Sequence, residues 1–360
     1  MTLRIASLFS GCGGLDLGFS RAGFQLIYAN DNDPQIWETF EKNHRLEIDK
    51  RSLFDVPSGE IPKADGIIGG PPCQSWSLAG AMRGARDERG QLFYEYVRVL
   101  KDTKPKFFLA ENVPGIVSIT HIEDFKRILA KLSSLGYHVV YKVIDSRNYG
   151  VPQERRRVII VGYEKSLGKR FVFPPPTHSK TAGVTIDGTS TRKWVTLQDI
   201  IGDLPAAKPA QGSKTNGNLL VPNHEYMLGG FSTIYMSRNR RRAWDQQSFT
   251  IQAGGRHAPL HPSSSEMIKI GKDKWTFKDS EPVYRRLSVR EAARIQTFPD
   301  DFVFYYKRIS DGYKMVGNAV PVMLAEIIAG TIRSDLFQRL SDASNSNQEK
   351  ETQSPHILAS

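Results

Sequence analysis

The sequence has few cysteines, and it lacks a long uninterrupted apolar run. It contains two cysteines in 360 residues, too few for a disulfide framework. No uninterrupted run approaches the ~18 apolar residues that a membrane span needs. The N-terminus lacks the basic segment and following apolar region of a secretory signal. These absences argue against secreted, disulfide-rich and membrane-spanning proteins, and they predict a protein of a reducing cytoplasm.

Basic residues outnumber acidic ones. The chain has 49 Lys and Arg against 38 Asp and Glu, which gives a formal net charge of +11 and a pI of about 9.5. Such a balance favours a polyanionic partner such as nucleic acid, although a solubilising surface would produce the same balance. The length allows one large core or two unequal ones.

Strand and helix patterns alternate from Arg4 to Val161. This alternation predicts an α/β fold with a largely parallel sheet and helices on both faces. Helical spacing of apolar residues predicts helices over 91–100 and 125–135. The pattern dissolves after Pro176 and returns at Ser288, where a capping box opens a helix to about Thr297. The predicted organisation is a first catalytic part (1–176), an irregular domain (177–284), a returning catalytic part (285–340) and a disordered tail (341–360).

A glycine-rich turn follows the first predicted strand, 4–9. It reads Ser10-Gly11-Cys12-Gly13-Gly14, and the next strand, 25–29, is followed by Asp31. Glycines let the backbone approach a ligand, and an acidic residue about 20 positions later is typical of ribose binding. The turn lacks the G-x-G-x-x-G spacing, so a nicotinamide dehydrogenase is the weaker alternative. A single adenosyl ligand fits better.

The segment from Gly69 to Ser77 presents Cys73 behind a rigid Pro-Pro pair. Proline fixes φ, so the thiol follows a stiff turn at a strand end. Another apolar run, 107–110, is followed directly by Glu111. A thiol and a carboxylic acid at two strand ends are typical of covalent catalysis. The alternative is a buried structural cysteine, which is the common state of a free thiol.

Five motifs together resemble one family, the DNA (cytosine-5) methyltransferases, and within it the HaeIII-type modification enzymes. The resemblance runs from about Leu3 to about Ile332. It implies a Rossmann-like S-adenosylmethionine-dependent methyltransferase sheet with a smaller irregular target-recognition domain. The motifs that carry it, in chain order, are Gly11-Cys12-Gly13-Gly14, Pro72-Cys73-Gln74, Glu111-Asn112-Val113, Gln153-Glu154-Arg155-Arg156-Arg157 and Gly317-Asn318-Ala319-Val320-Pro321.

The resemblance implies that Cys73 attacks cytosine C6 as a thiolate and that Glu111 hydrogen-bonds or protonates N3. S-adenosyl-L-methionine then supplies the methyl group and leaves as S-adenosyl-L-homocysteine, with no metal. In the family the position of Arg157 contacts the cytosine O2. Because Arg155 and Arg157 alternate on a strand predicted over 155–161, we expect both to face the thiol and favour the thiolate.

The resemblance also implies a cofactor site. In two places the chain departs from the family pattern: Asn32 replaces the aromatic ring that stacks on adenine, and the Ser52 hydroxyl replaces the usual acidic acceptor for the adenine amino group. The residues assigned to the cofactor are Phe9, Gly11, Gly13, Gly14, Leu15, Asp31, Asn32, Ser52, Leu53, Pro72, Leu92, Asn318 and Val320.

The target base lies inside the duplex, so it must be flipped out, and residues 75–90 are the expected closing loop. The irregular domain carries Arg240, Arg242 and Arg256, a residue type that reads guanine bidentately. Residues 216–218 and 222–226 also resemble the HaeIII-type recognition region. That similarity implies GGCC, methylated at its inner cytosine.

Two other functions use the same scaffold: an RNA methyltransferase and a catalytically silent DNA-binding relative. The Arg-rich recognition domain argues against the first. The presence of both Cys73 and Glu111 argues against the second. We therefore predict a bacterial, cytoplasmic, nucleoid-associated monomer that acts on double-stranded DNA. A restriction endonuclease of the same specificity is the expected companion.

Overall fold

A computed structural model of the protein describes residues 2–72, 88–184, 188–211 and 219–352. It describes the side chains of all these residues except 88–90 and 338–352. A six-stranded sheet in the order β2-β1-β3-β4-β6-β5 forms its centre. Strands β2, β1, β3 and β4 are mutually parallel, and β6 runs antiparallel to both of its neighbours. The predicted largely parallel sheet is confirmed. Its strands are β1 (Arg4–Leu8), β2 (Gln25–Asn30), β3 (Gly66–Gly69), β4 (Phe107–Asn112), β5 (Tyr137–Asp145) and β6 (Arg156–Glu164).

Helices cover both faces of this sheet. Odd and even strand positions face different cores, since side chains alternate along a strand. One core joins Ile5 and Leu109 to Phe19, and the other joins Leu8 and Ala110 to residues such as Tyr96. The helices are α1 (Gly14–Arg21), α2 (Trp37–His44), α3 (Glu88–Thr103), α4 (Ile122–Ser134), α5 (Leu197–Ile201), α6 (Val289–Ile295), α7 (Ile309–Asn318) and α8 (Val322–Thr352).

Helix α1 packs closely against α8. A Cβ on Gly18 would lie 2.4 Å from the Cβ of Ala325, so only glycine allows the two helices to approach this far. The contact brings the returning C-terminal part of the chain against the glycine-rich turn. Gly14 lies at the same junction, where its Cβ would be 2.5 Å from the carbonyl oxygen of Val320.

Over residues 177–184, 188–211 and 219–284, the segment 177–284 contains short strands and no separate large core. Its Leu197, Ile201 and Ile251 pack with Val289 and Phe40 in one shared cluster. A small cluster of its own centres on Tyr235, Leu260 and Met267. The larger of these two clusters is therefore shared with the rest of the chain. Its strands are β7 (His178–Ser179), β8 (Gly183–Val184), β9 (Ser190–Lys193), β10 (Lys208–Pro209), β11 (Glu225–Tyr226), β12 (Met267–Gly271) and β13 (Lys274–Phe277).

Several element ends differ from the sequence prediction. Strand β6 begins at Arg156, so Arg155 precedes it. The capping box at Ser288 is present, with Ser288 and Glu291 bonding reciprocally. Helix α8 continues to Thr352, whereas we predict disorder from 341 onward. Helix propagation adds one hydrogen bond per residue, and the chain has no proline between Pro321 and Pro355 to stop it.

One stretch, Ile309–Phe337, has the length and mean hydropathy (1.6) of a membrane span, although no long uninterrupted apolar run is present. Of its most apolar window, 67% is buried inside the protein. The stretch is also divided between α7 and α8 at Pro321. Its apolar character is therefore that of core helices.

Candidate active site

The register of the parallel strands brings their carboxyl ends to one edge of the sheet. Leu8 of β1 pairs with Asn30 of β2 and with Gly69 of β3. Gly69 in turn pairs with Ala110 of β4. The glycine turn, the residues after Asn30, the Pro-Pro turn and Glu111 therefore start from the same level. This edge is where open α/β sheets bind their ligands.

Glu111 and Arg157 form an ion pair at this edge. Arg157 Nε lies 2.7 Å from Glu111 Oε1, and the two side chains are 13% and 12% exposed. Antiparallel pairing of β4 with β6 sets Glu111 opposite Ile159, two residues from Arg157. Side chains two apart on a strand share a face, so the pairing brings the guanidinium to the carboxylate.

The Pro-Pro turn is attached to the same strand. Asn112 Nδ2 donates a 3.0 Å hydrogen bond to the carbonyl oxygen of Pro71. A Cβ on Gly70 would lie 3.5 Å from Glu111 Oε2, so the carboxylate lies beside this turn. Cys73 itself and the expected closing loop, 75–90, lie outside the residues whose side chains the structure describes. Their roles stay predictions.

The glycine turn is held by Asp31. Asp31 Oδ2 accepts a 2.9 Å hydrogen bond from Gly11 N–H, and Oδ1 accepts one of 2.9 Å from Asp33 N–H. Burial raises the pKa of Asp31 above its ordinary value. A Cβ on Gly11 would meet nothing within 4 Å, so the backbone there faces open space. An acceptor carboxylate beside open backbone fits the ribose of an adenosyl ligand.

Asn30, for which the sequence predicted no role, connects three parts of this site. Its Nδ2 donates to the carbonyl oxygens of Asp49 (3.0 Å) and Arg51 (2.8 Å). Its own carbonyl oxygen accepts from Ser10 N–H at 3.2 Å. Asn30 therefore joins the glycine turn, through its backbone carbonyl, to the segment before Ser52, through its side-chain amide. The sequence signal for this role is an amide side chain directly before Asp31, at the end of an apolar strand.

Buried polar groups lie beneath the glycine turn. The Asp16 carboxylate is fully buried, without a partner of normal hydrogen-bond geometry among the described residues. Burial raises its pKa to about 7, against the opposing effect of the Ser7 hydroxyl. The His44 ring fills the space beside Gly13, where a Cβ would lie 1.9 Å from Nε2. Burial lowers the pKa of His44 to about 4, so this support is a neutral ring.

The second cysteine is a structural one. Cys12 is 2% exposed, and its Sγ donates to the carbonyl oxygen of Met315 at 3.4 Å. Burial raises the pKa of this thiol to about 12. A thiol that stays protonated is a poor nucleophile. The nucleophile assignment therefore rests with Cys73.

The other cofactor candidates differ in exposure. Phe9 adopts a positive φ of 55°, an unusual conformation for a bulky residue and typical of a constrained site. Two candidates are exposed, Asn32 and Asn318. Four are partly buried: Phe9, Ser52, Pro72 and Leu92. The buried candidates are Gly13, Gly14, Leu15, Leu53 and Val320.

Arg155 differs from the prediction. It precedes β6, so strand alternation does not apply to it, and it is 1% exposed. Its guanidinium donates to the carbonyl oxygens of Ile251 (3.0 Å), Gly317 (3.0 Å) and Ala319 (2.8 Å). Burial lowers its pKa. Arg155 thus joins the segment before β6 to Ile251 of the segment 177–284 and to the end of α7, and its donors are directed at protein carbonyls.

The three arginines predicted to read guanine have different surroundings. Arg240 is 5% exposed and donates to the carbonyl oxygens of Tyr235 and Ile234, so its fork is directed into the protein. This burial contradicts its prediction as a base reader. Arg242 Nη2 lies 2.8 Å from Glu154 Oε2. Arg256 is exposed, with no hydrogen bond or ion pair to any residue in the described part of the chain.

A cavity of about 210 Å³ lies between the segment 177–284 and Glu154, which precedes β6. Its polar lining combines donors and acceptors. The residues that line it are Glu154, Arg238, Asn239, Arg240, Phe249, Thr250, Gln252, His257 and Pro259. Among the described residues no cluster of three metal-ligating side chains occurs.

Comparison with known proteins identifies the family. The model of the C-5 cytosine-specific DNA methylases matches residues 3–334. The chain is 58% identical to the Type II methyltransferase M.MthTI of Methanothermobacter thermautotrophicus, covering 93% of this chain and 98% of the relative. It is 52% identical to M.FnuDI of Fusobacterium nucleatum over 94% and 96%. The chain belongs to the C-5 cytosine-specific DNA methylase family.

The methyltransferase also resembles solved structures in its fold. One is a DNA modification methyltransferase encoded within an E. coli prophage, with a TM-score of 0.67, 23% identity and coverage of 93% of this chain and 99% of that one. The S. pombe Dnmt2 methyltransferase gives a TM-score of 0.63 at 16% identity over 94% and 99%. The sequence prediction of a DNA (cytosine-5) methyltransferase on a Rossmann-like α/β fold is confirmed, and DNA is its substrate.

Proposed function

We propose that this enzyme transfers a methyl group from S-adenosyl-L-methionine to C5 of the inner cytosine of GGCC in double-stranded DNA. The observation that carries the catalytic part is the Glu111–Arg157 ion pair beside the turn that leads to Cys73. A carboxylate and a guanidinium within 2.7 Å present complementary groups to the pyrimidine ring.

The reaction needs C5 of cytosine to become nucleophilic. In this proposal the Cys73 thiolate forms a bond to C6 of a flipped cytosine, while Glu111 hydrogen-bonds N3 and supplies a proton as the ring becomes an enamine. Arg157 donates to O2. C5 then takes the methyl group, releasing S-adenosyl-L-homocysteine. A water molecule takes the C5 proton as the C6–S bond breaks and the thiolate leaves. The N3 proton returns to Glu111, and the aromatic ring is restored.

The cofactor rests against the glycine turn in this proposal. Asp31 accepts hydrogen bonds from the ribose hydroxyls, and Ser52 accepts one from the adenine amino group. Phe9, Leu92 and Val320 supply apolar contacts. The remaining cofactor assignments, including Leu15, Asn32, Leu53, Pro72 and Asn318, keep the roles that the family resemblance gives them.

Recognition of GGCC is assigned to the segment 177–284. Arg256 is exposed and lacks a partner in the described part of the chain, so its fork can reach O6 and N7 of guanine. Arg242 pairs with Glu154, and we assign it to the DNA backbone and not to a base. The polar cavity lined by Asn239, Gln252 and others supports contacts to base edges. We do not assign Arg240 to a base, since its donors serve the carbonyls of Tyr235 and Ile234.

The biological setting follows from a protective methyl mark. We propose that the enzyme works as a monomer in the bacterial cytoplasm, on nucleoid DNA, alongside a restriction endonuclease of the same specificity. Methylation of the shared site would then prevent cleavage of the host DNA.

Bisulfite sequencing of DNA from cells that express the protein tests the specificity. The expected result is protection of the inner cytosine of GGCC; methylation in a different sequence context refutes this assignment and leaves the catalytic one intact. A Cys73→Ser variant tests the covalent step, because a hydroxyl is far less ionised at neutral pH. It should lose methyl transfer in a labelled-methyl assay and retain DNA binding, whereas normal turnover contradicts a thiolate mechanism.

A further inference from the structure

Glu154 lies at the joint between the catalytic sheet and the recognition segment. Its backbone N–H donates to the carbonyl oxygen of Ser248 at 2.9 Å, and its carbonyl oxygen accepts from the Thr250 hydroxyl. The neighbouring Gln153 forms a β-bridge with Ser248. The backbone at position 154 is therefore fixed to the recognition segment from both sides.

The Glu154 carboxylate is shared by two arginines from different parts of the chain. Oε2 lies 2.8 Å from Arg242 Nη2, and Oε1 lies 3.1 Å from Arg147 Nη1. Each guanidinium also stacks on an aromatic ring: Arg242 lies 4.0 Å from the Phe249 centroid, and Arg147 lies 4.5 Å from that of Trp194. The rings fix both arginine planes while one carboxylate bridges them.

These groups line a cleft of about 560 Å³. Lys180 and Lys193 also line the cleft, and both are exposed. In the described part of the chain, no carboxylate lies within salt-bridge distance of either lysine. Four basic side chains thus line the cleft with two acidic ones, Glu154 and Asp245. Arg147 also pairs with Asp145, whose Oδ2 lies 2.7 Å from Nη2, so Glu154 meets this guanidinium only at Nη1. With Asp145 counted and Glu154 ionised, these side chains still carry one net positive charge.

A carboxylate that bridges two guanidinium groups occupies the position that suits a phosphate, since arginine forks bind both anions through the same N–H geometry. Glu154 is 40% exposed, so an incoming anion can reach it. A phosphate of the DNA backbone could therefore replace the carboxylate and gain Lys180 and Lys193 as further partners.

We propose that this cleft binds a backbone phosphate of the DNA, and that Glu154 holds its place in the free enzyme and thereby increases sequence specificity. The inference rests on the proposed recognition of DNA by the segment 177–284. On a random sequence, phosphate binding has to displace Glu154 without help from base contacts. On the recognition sequence, the base contacts compensate for this displacement. Glu154 thus lowers sequence-independent affinity more than specific affinity.

The test compares Glu154→Gln with the wild type on a GGCC duplex and on a scrambled duplex over a range of salt concentrations. Glutamine keeps the shape and removes the competing charge. We expect the variant to bind the scrambled duplex more tightly, to steepen its salt slope by about one unit, and to lower the specific-to-scrambled affinity ratio.

Glu123→Gln is the matched control, because Glu123 is also exposed and ion-paired, to Lys126 on α4. If Glu154→Gln changes scrambled-duplex affinity and salt slope no more than Glu123→Gln does, the inference is wrong. Thermal unfolding of both variants shows whether the fold is intact.

Arg242→Gln gives an independent measurement if Glu154→Gln proves unstable. It should reduce the salt slope of the specific complex by about one unit and leave the scrambled complex close to wild type. Equal weakening of both complexes overturns the inference. Bisulfite mapping of the wild type tests the GGCC assignment separately. If mapping identifies a different sequence, a duplex with that sequence replaces the GGCC duplex in these measurements.

Discussion

At the scale of single residues, the Glu111–Arg157 pair decides how the acid is presented. Glu111→Gln keeps the shape of the side chain and loses both the proton donor and the charge that Arg157 pairs with. We expect turnover to fall by roughly 10²–10⁴-fold, the usual contribution of acid–base assistance. Single-turnover methylation at saturating cofactor measures this change. A rise in cofactor KM with turnover intact would show that Glu111 is a binding residue instead.

Asp16 gives a pH-dependent prediction for stability. Its pKa is raised from 3.8 to about 7 by burial, so between these values the unfolded chain loses its proton first and the native state retains it. Asp16 therefore lowers stability as pH rises through this range, by up to about 1.4 kcal/mol per pH unit. Above the pKa of Asp16 in the native state, its titration no longer changes the stability.

The Asp16→Asn variant removes this titration. Relative to the wild type, we expect its free energy of unfolding to increase from pH 5 to pH 7 and then to level off. Urea unfolding at several pH values measures the difference. Glu123→Gln is the control, since an exposed carboxyl with a lowered pKa is ionised in both states throughout this range. A pH-independent difference between Asp16→Asn and the wild type would contradict the assigned titration.

At the scale of elements, Asn30 joins the end of β2 to the glycine turn and to the segment 49–53. Asn30→Ala removes the side-chain donor to the Arg51 carbonyl oxygen and one of two donors to that of Asp49, which keeps its 3.1 Å bond from Asp31 N–H. A lost hydrogen bond costs about 0.5–1.5 kcal/mol. We expect the KM for S-adenosylmethionine to rise by about tenfold, with a smaller change in kcat.

Asn43→Ala is the matched control for Asn30→Ala. The Asn43 amide also bonds two backbone carbonyls, of Thr39 and Val303, neither of which belongs to the glycine turn or to the segment 49–53. It should lose stability without a comparable change in cofactor KM. If both variants shift the KM equally, Asn30 acts through general stability and not through the cofactor segment.

At the scale of the whole molecule, the net charge of +11 favours binding to the DNA polyanion. Each phosphate that the enzyme neutralises releases counterions, so affinity should fall steeply with salt, with a log–log slope of about −0.9 per phosphate contact. Fluorescence anisotropy on a scrambled duplex between low and physiological salt measures this slope. A flat dependence would mean that the positive charge serves surface solvation and not DNA binding.

Much of the fold could be predicted because its signals are local. The alternation of strands and helices, the glycine turn and the Ser288 capping box depend on residues close together in sequence, and the structure contains all three. The end of α8 was missed, because a polar helix without an apolar stripe leaves no periodic signal. The core that the segment 177–284 shares with the rest of the chain was not predicted either, since it joins Leu197 and Ile251 to residues far along the chain.

The sequence by itself determined the family and the chemical types at the site: a thiol after a stiff turn, an acid at a strand end, and a carboxylate beyond the glycines. These follow from motifs of contiguous residues. Only the tertiary structure decided which arginines are available. Arg155 and Arg240 donate to backbone carbonyls, Arg157 pairs with Glu111, and Arg242 pairs with Glu154. The same side chain in the same kind of motif takes either role, because its partners come from distant segments that meet only in the folded chain.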